Sequence, residues 1–206
     1  MSSQRVRTRQ SPEKRAEQIF LAAVDLALES GLNAVTLRAV ARRADVATSL
    51  VAHYHPSMDS LVASTFRHIV ASEVDEVTGL LAAVSSSEAQ AAFLLSTLLE
   101  DARHDVTLVW VEAWVLGRRN DELAATIEEQ MDAWHGVILG VITRGLGDGV
   151  FRTEEPDLVA WQLLGMIDGL AAHSLVRGAD GRVFAAQLAR AGEALLGAAP
   201  GSLSPR

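Results

Sequence analysis

Residues 35–62 read VTLRAVARRADVATSLVAHYHPSMDSLV, and this stretch decides the fold. Thr36 suits a helix N-cap, because its hydroxyl accepts from an orphan backbone N–H. Leu37, Val40, Ala41 and Ala44 recur at helical spacing and predict one apolar face. Asp45-Val46-Ala47 interrupts that pattern, and a second helix of about two turns is expected over 48–54. Pro56 cannot continue it, and Ser57 offers a fresh cap with Asp59 in the next first turn. Two short helices joined by a tight turn form a helix-turn-helix, whose second helix reads the major groove. Thr48, Ser49, His53 and Tyr54 would face outward as donors and acceptors, while Leu50 and Ala52 suit thymine methyls. The same pattern also describes an ordinary helical hairpin inside a core.

The surrounding residues favour DNA. The run IFLAAVDLALESG at 19–31, then TLRAVARRA at 36–44, then VATSLVAHYHPS at 46–57, together resemble the DNA-binding domain of the TetR family of bacterial regulators. The resemblance covers about residues 12–62. It implies a homodimer on a double-stranded DNA operator, with Arg38, Thr48, Ser49, Leu50, His53 and Tyr54 at contact positions. It also implies a helical body enclosing a small-molecule effector cavity. Four positions depart from the family pattern. Asp45 replaces a usual Gly, and Asp tolerates the left-handed turn better than most residues. Ala52 and Met58 stand where Tyr and Lys usually meet phosphate. His55 stands where Phe usually fills the small domain's core.

Charge agrees with a DNA-binding end. Residues 1–56 carry eight basic and five acidic side chains, or +3, while the rest carries ten basic and twenty-one acidic, or −11. A basic module on an acidic body suits docking by one end onto phosphates. Arg5, Arg7 and Arg9 alternate in an expected disordered arm able to reach a minor groove. No cysteine is present, and the N-terminus has no apolar run like a secretory signal, so a cytoplasmic location is expected. No run of eighteen apolar residues occurs, so no membrane span is expected.

Working outward, Ser11-Pro12-Glu13 opens a first helix and Gly31 ends it. Further helices are expected over 58–84, 88–103, 105–119, 122–145, 156–176 and 182–196, with turns at 178–181 and elsewhere. The expected fold is all-α with about nine helices. It divides into a 1–56 head and a 57–206 ligand-binding and dimerisation body.

The body holds Trp110, Trp114, Trp134 and Trp161, and the head holds none. Trp110 and Trp114 are four apart and share a helix face. With Met131, Met166 and Asp168 they are candidates to line a cavity, since aromatic walls with a few polar groups build small-molecule pockets. Glu112 or Asp168 beside a tryptophan would favour a cation. Plain core packing is the competing reading. The last two helices are apolar over more than one face, so they are expected to be buried or to meet a partner. The resemblance assigns them to a four-helix dimer interface.

No phosphate-binding glycine loop or nucleophile elbow is present, and of six histidines only His53 and His55 lie close in sequence. Neither catalysis, nor a metal, nor a cofactor is expected. The function expected is a ligand-responsive regulator, most simply a repressor released by a small molecule. The alternative is a TetR-like protein with weakened DNA binding that acts through protein contacts.

Overall fold

A computed structural model describes residues 11–177 and 181–204. Within them lie nine α-helices, two 3₁₀ turns and no strand. The head comprises α1 (Pro12–Ser30), α2 (Leu37–Arg43) and α3 (Thr48–Tyr54). The body comprises α4 (Met58–Ala82), α5 (Ser87–Thr97), α6 (His104–Gly117), α7 (Asp121–Gly147), α8 (Pro156–Arg177) and α9 (Gly181–Leu196). The arginine-bearing arm and most of the 178–181 turn lie outside the described residues.

The helix starts follow the capping chemistry of the sequence. Ser11, Thr36, Ser57, Ser86 and Asn120 each accept from a backbone N–H three residues on. Pro12 opens α1 and Gly31, at φ 83°, closes it.

α4 and α7 are the two long central helices and share the most extensive helix–helix packing. Phe66, Val70 and Val77 of α4 and Leu123, Trp134 and Ile138 of α7 are buried. α6 and α8 pack on α7 and on each other, and α9 packs on α8 and α5. The head's own core is Ile19, Ala23 and Ala27 of α1, with Leu32, Val40 and Val51.

Two differences from the sequence reading stand out. The helix expected over 88–103 stops at Thr97, and a 3₁₀ turn at Asp101–Arg103 follows. Ser96 Oγ bonds back to the Ala92 and Phe93 carbonyls, which weakens the final helical turn. Leu98 and Leu99 then both turn inward. In addition, α8 is long and apolar enough, by length and composition, to cross a membrane, with mean hydropathy 1.3. The reason is local. One face of α8 is buried against the body through Leu163, Leu164 and Ile167, while Leu158 and Val176 stay exposed on another.

The reading head and the body cavity

The turn between α2 and α3 is a Schellman closure. Val46 N–H bonds to the Ala41 carbonyl at 3.0 Å and Asp45 N–H to the Arg42 carbonyl at 3.3 Å. Asp45 takes the left-handed position usual for glycine, at φ 52°, the only non-glycine to do so among the described residues. α1 fixes this turn from behind, as Gln18 Nε2 donates to the Ala44 carbonyl at 2.8 Å. Arg43 is held by Glu29 and Asp25 on α1, so it braces the head rather than reaching outward.

Of the six candidate DNA contacts, Arg38, Thr48, Ser49 and His53 are exposed. Leu50 and Tyr54 are half-buried against the head's core, and the Tyr54 ring meets His53 edge-on at 5.2 Å. Ala52 is exposed on the same short helix. Arg42 is also exposed and was not singled out by the sequence reading, although the Arg42-Arg43 pair was its signal. His55 is half-buried, with Nε2 lacking a hydrogen-bond partner. Burial holds its imidazole below the ordinary value, and the Ala16 backbone works the other way.

In the body, α6, α7 and α8 enclose a cavity of about 40 Å³. Thr107, Trp110, Val111 and Trp114 line it from α6, at i, i+3, i+4 and i+7. Met131 and Trp134 come from α7, and Leu164, Ile167 and Asp168 from α8. Trp110 and Trp114 lie 5.9 Å apart and tilted, and Phe66 locks Trp110 edge-on at 4.9 Å. Five of the six candidate lining residues therefore come together: Trp110, Trp114, Trp134, Met131 and Asp168. Met166 does not. It lies two residues from Asp168, so the helix turns it to another face, where it lines a groove with Gly165, Gly169 and His173. Trp161 also points elsewhere and stacks on His135 at 4.4 Å. Glu112, on the far side of α6, bonds to the Asn33 N–H of the head instead of facing the cavity.

Two acids line the cavity, and they differ. Glu73 of α4 pairs with Arg103 at 3.2 Å. Burial still pushes its carboxyl up to about 7, with Arg103 opposing and Glu76 and Asp105 adding to the rise. Asp168 has no hydrogen bond or ion pair among the described residues, and burial alone pushes it up to about 6. The sequence reading missed Glu73 and Thr107, since nothing in a spacing pattern brings α4 to this cavity.

The nearest approach to a catalytic grouping is Asp101, His104 and Ser174. His104 Nε2 lies 3.5 Å from Asp101 Oδ1 and 3.1 Å from Ser174 Oγ. A relay needs the two partners on opposite ring nitrogens, and here one nitrogen faces both. Asp101 lies in the 3₁₀ turn Asp101–Arg103. His104 begins α6. Among the described residues no group of three His, Cys, Asp or Glu side chains is placed to hold a metal ion.

The model of the bacterial regulatory proteins of the tetR family matches residues 19–65, and that of the BetI-type transcriptional repressor C-terminal domain matches residues 86–198. The second covers more than half of the chain. The chain belongs to the TetR family, with a BetI-type body. Members of this family are regulators of transcription, not enzymes. The chain is 40% identical over 58 residues to the regulator BetI of Paraburkholderia phymatum, covering 28% of this chain and 30% of that protein. The match thus spans under a third of that relative's length. Against BetI of Cronobacter sakazakii the identity is 25% over 168 residues, covering 80% of this chain and 81% of that one. A transcriptional regulator from Saccharomonospora viridis, solved in complex with choline, shares the fold at TM-score 0.76 and 22% identity, covering 85% of this chain and 94% of that one.

Proposed function

We propose that this TetR-family member is a cytoplasmic, homodimeric repressor that leaves its double-stranded DNA operator when a small organic cation enters the α6–α8 cavity. The observation that carries the reading is Asp168, a half-buried carboxylate without a partner among the described residues, inside a wall of Trp110, Trp114 and Trp134. Tryptophan faces attract cations, by about 2 kcal/mol or more once water is excluded. An uncompensated carboxylate adds charge complementarity. The second acid, Glu73, already has Arg103, which leaves one net charge to satisfy and favours a monocation. An acyl or other anionic effector would meet two acids and no free cation on the lining. The choline seen in the Saccharomonospora regulator is of the chemical class that this lining suits.

Dimerisation is read from the outer faces of α8 and α9. Leu158, Trp161, Val176 and Val183 are exposed there. A Cβ at Gly165 or Gly169 would meet nothing within the protomer. Such a face suits a second copy of the chain, packed closely over the glycines, with each α3 presented to one half-site.

Titrating the protein with choline while following tryptophan fluorescence tests the cavity, and gel shift on DNA from directly upstream of its gene tests the head. Saturable quenching and a specific shift are expected. Arg38→Ala is expected to cost roughly 1–3 kcal/mol of operator binding and to relax one position per half-site. Normal choline binding without any specific shift would favour the reading in which Ala52, His55 and Met58 have cost the head its operator and the protein acts through protein contacts.

A further inference from the structure

α6 has two sides with separate tasks. One lines the cavity with Trp110, Val111 and Trp114. The other carries Glu112, whose Oε2 accepts from the Asn33 backbone N–H at 2.8 Å. Asn33 sits in the 3₁₀ turn Leu32–Ala34 that links α1 to α2. The fit is close. A Cβ on Gly31 would stand 2.5 Å and 2.9 Å from the two Glu112 oxygens, and Gly31 is at φ 83°. Both facts require glycine where the carboxylate rests. A charge-assisted hydrogen bond therefore joins the cavity helix to the segment leading into Thr36, the cap of α2.

Two further polar contacts brace the body next to the head. Asn120 Nδ2 donates to the Asp59 carbonyl at 3.0 Å, and Arg67 pairs with Glu129 at 3.0 Å, so both tie α4 to the start of α7. The α1–α2 link is thus held by α6, and α4 is held by α7. A cation between Trp110, Trp114 and Asp168 would bear on α6 and α8, and also on α7 and α4 through Met131, Trp134 and Glu73; α7 and α4 are joined to each other by the Asn120 and Arg67 bonds. Glu112, between the two tryptophans in sequence, must move with α6.

We propose that Glu112 is the positioning residue that carries cavity occupancy to the reading head, through its hold on the Gly31–Asn33 backbone. This rests on the reading of the cavity as the effector site. A shift of α6 loosens or redirects the link ahead of α2, while the α4–α7 joint keeps the head attached. The two anchors then act as a fixed hinge and a movable latch.

The test uses the full chain and its Glu112→Gln and Glu112→Ala variants. Choline is the probe, followed by tryptophan fluorescence, with operator affinity measured by anisotropy on DNA from directly upstream of the gene. Both variants are expected to bind choline within about twofold of wild type. The ratio of operator Kd with and without saturating choline, roughly 5–150 in ordinary allosteric proteins, is expected to fall toward one in Glu112→Ala. Glu112→Gln, which keeps an acceptor oxygen, should fall between. An unchanged ratio in Glu112→Ala overturns the proposal. A second arm needs no effector. The chain has no cysteine, so labels at Glu17→Cys and Glu128→Cys, in dimers with one labelled chain, report the head–body distance. The distribution should broaden when Glu112→Ala is added, and an identical distribution also overturns the proposal. If wild type binds no choline, the cation reading fails, and the distance arm alone decides the role of Glu112.

Discussion

In the proposed reading, Asp168 is the residue on which folding and ligand binding pull in opposite directions. Its ordinary value is 3.8 and burial pushes it up to about 6. Between those two values the folded protein holds the proton more tightly than the unfolded chain, so stability from this group falls as pH rises through the window and stays reduced above it. A cation needs the carboxylate ionised. Choline affinity should therefore rise with pH up to about 6 and then flatten, with Glu73, pushed up to about 7, extending the rise. Asp168→Asn should weaken choline binding by at least about tenfold at pH 7.5, or ~1.4 kcal/mol. The same change should raise thermal stability at pH 7.5 and leave it nearly unaltered near pH 4. Calorimetry and melting curves at the two pH values check both signs. His55 works the other way. Its depressed value means that stability is full above its ordinary 6.5 and is lost as pH falls below it. His55→Phe should remove that acid sensitivity and, by relieving the unpartnered Nε2, gain on the order of 1 kcal/mol; the measurement is the midpoint of unfolding at pH 5.5 and 7.5. At this scale the sequence was legible where helical spacing decides the direction. Trp110 and Trp114, four apart, do share the cavity wall. It was not legible for Met166 or Glu112, since which way a helix is rotated depends on the neighbours that pack on it.

The same division holds for elements. Helix starts were readable because a capping hydroxyl is a local device, and Ser11, Thr36 and Ser57 act as expected. Asp45 is another case, since its short polar side chain marks the one non-glycine position at positive φ among the described residues. The end of α5 was not readable. It is set by the inward turn of Leu98 and Leu99 and by the close approach of Gly181, where a Cβ would stand 2.2 Å from the Leu99 carbonyl oxygen. Those are tertiary facts without a local signal. For α8, apolar character on two faces is legible, and its destination is the prediction. Gly169→Arg should place a charge in the proposed α8–α9 interface, and an unpaired buried charge costs about 3–5 kcal/mol. Because nothing in the protomer occupies that space, the variant should fold and sediment as a monomer. A stable, well-folded dimer carrying Gly169→Arg would place the interface elsewhere.

Across the whole molecule, charge and architecture divide along the same line. The +3 head carries the candidate DNA contacts and the −11 remainder carries the cavity. All-α architecture and the head were readable because capping, turn and apolar spacing agree there with the family pattern. The convergence of α4, α6, α7 and α8 on one cavity was not, because it needs the packing of helices far apart in sequence. In the proposed function one coupling free energy links these two ends, and it must act equally in both directions. The decisive measurement is a pair of titrations on the wild-type protein at fixed salt: upstream DNA with and without saturating choline, and choline with and without saturating DNA. Specific operator binding that choline weakens roughly 5–150-fold is expected, together with choline binding that the operator weakens by the same factor. Operator affinity that is the same with and without bound choline would contradict this coupling.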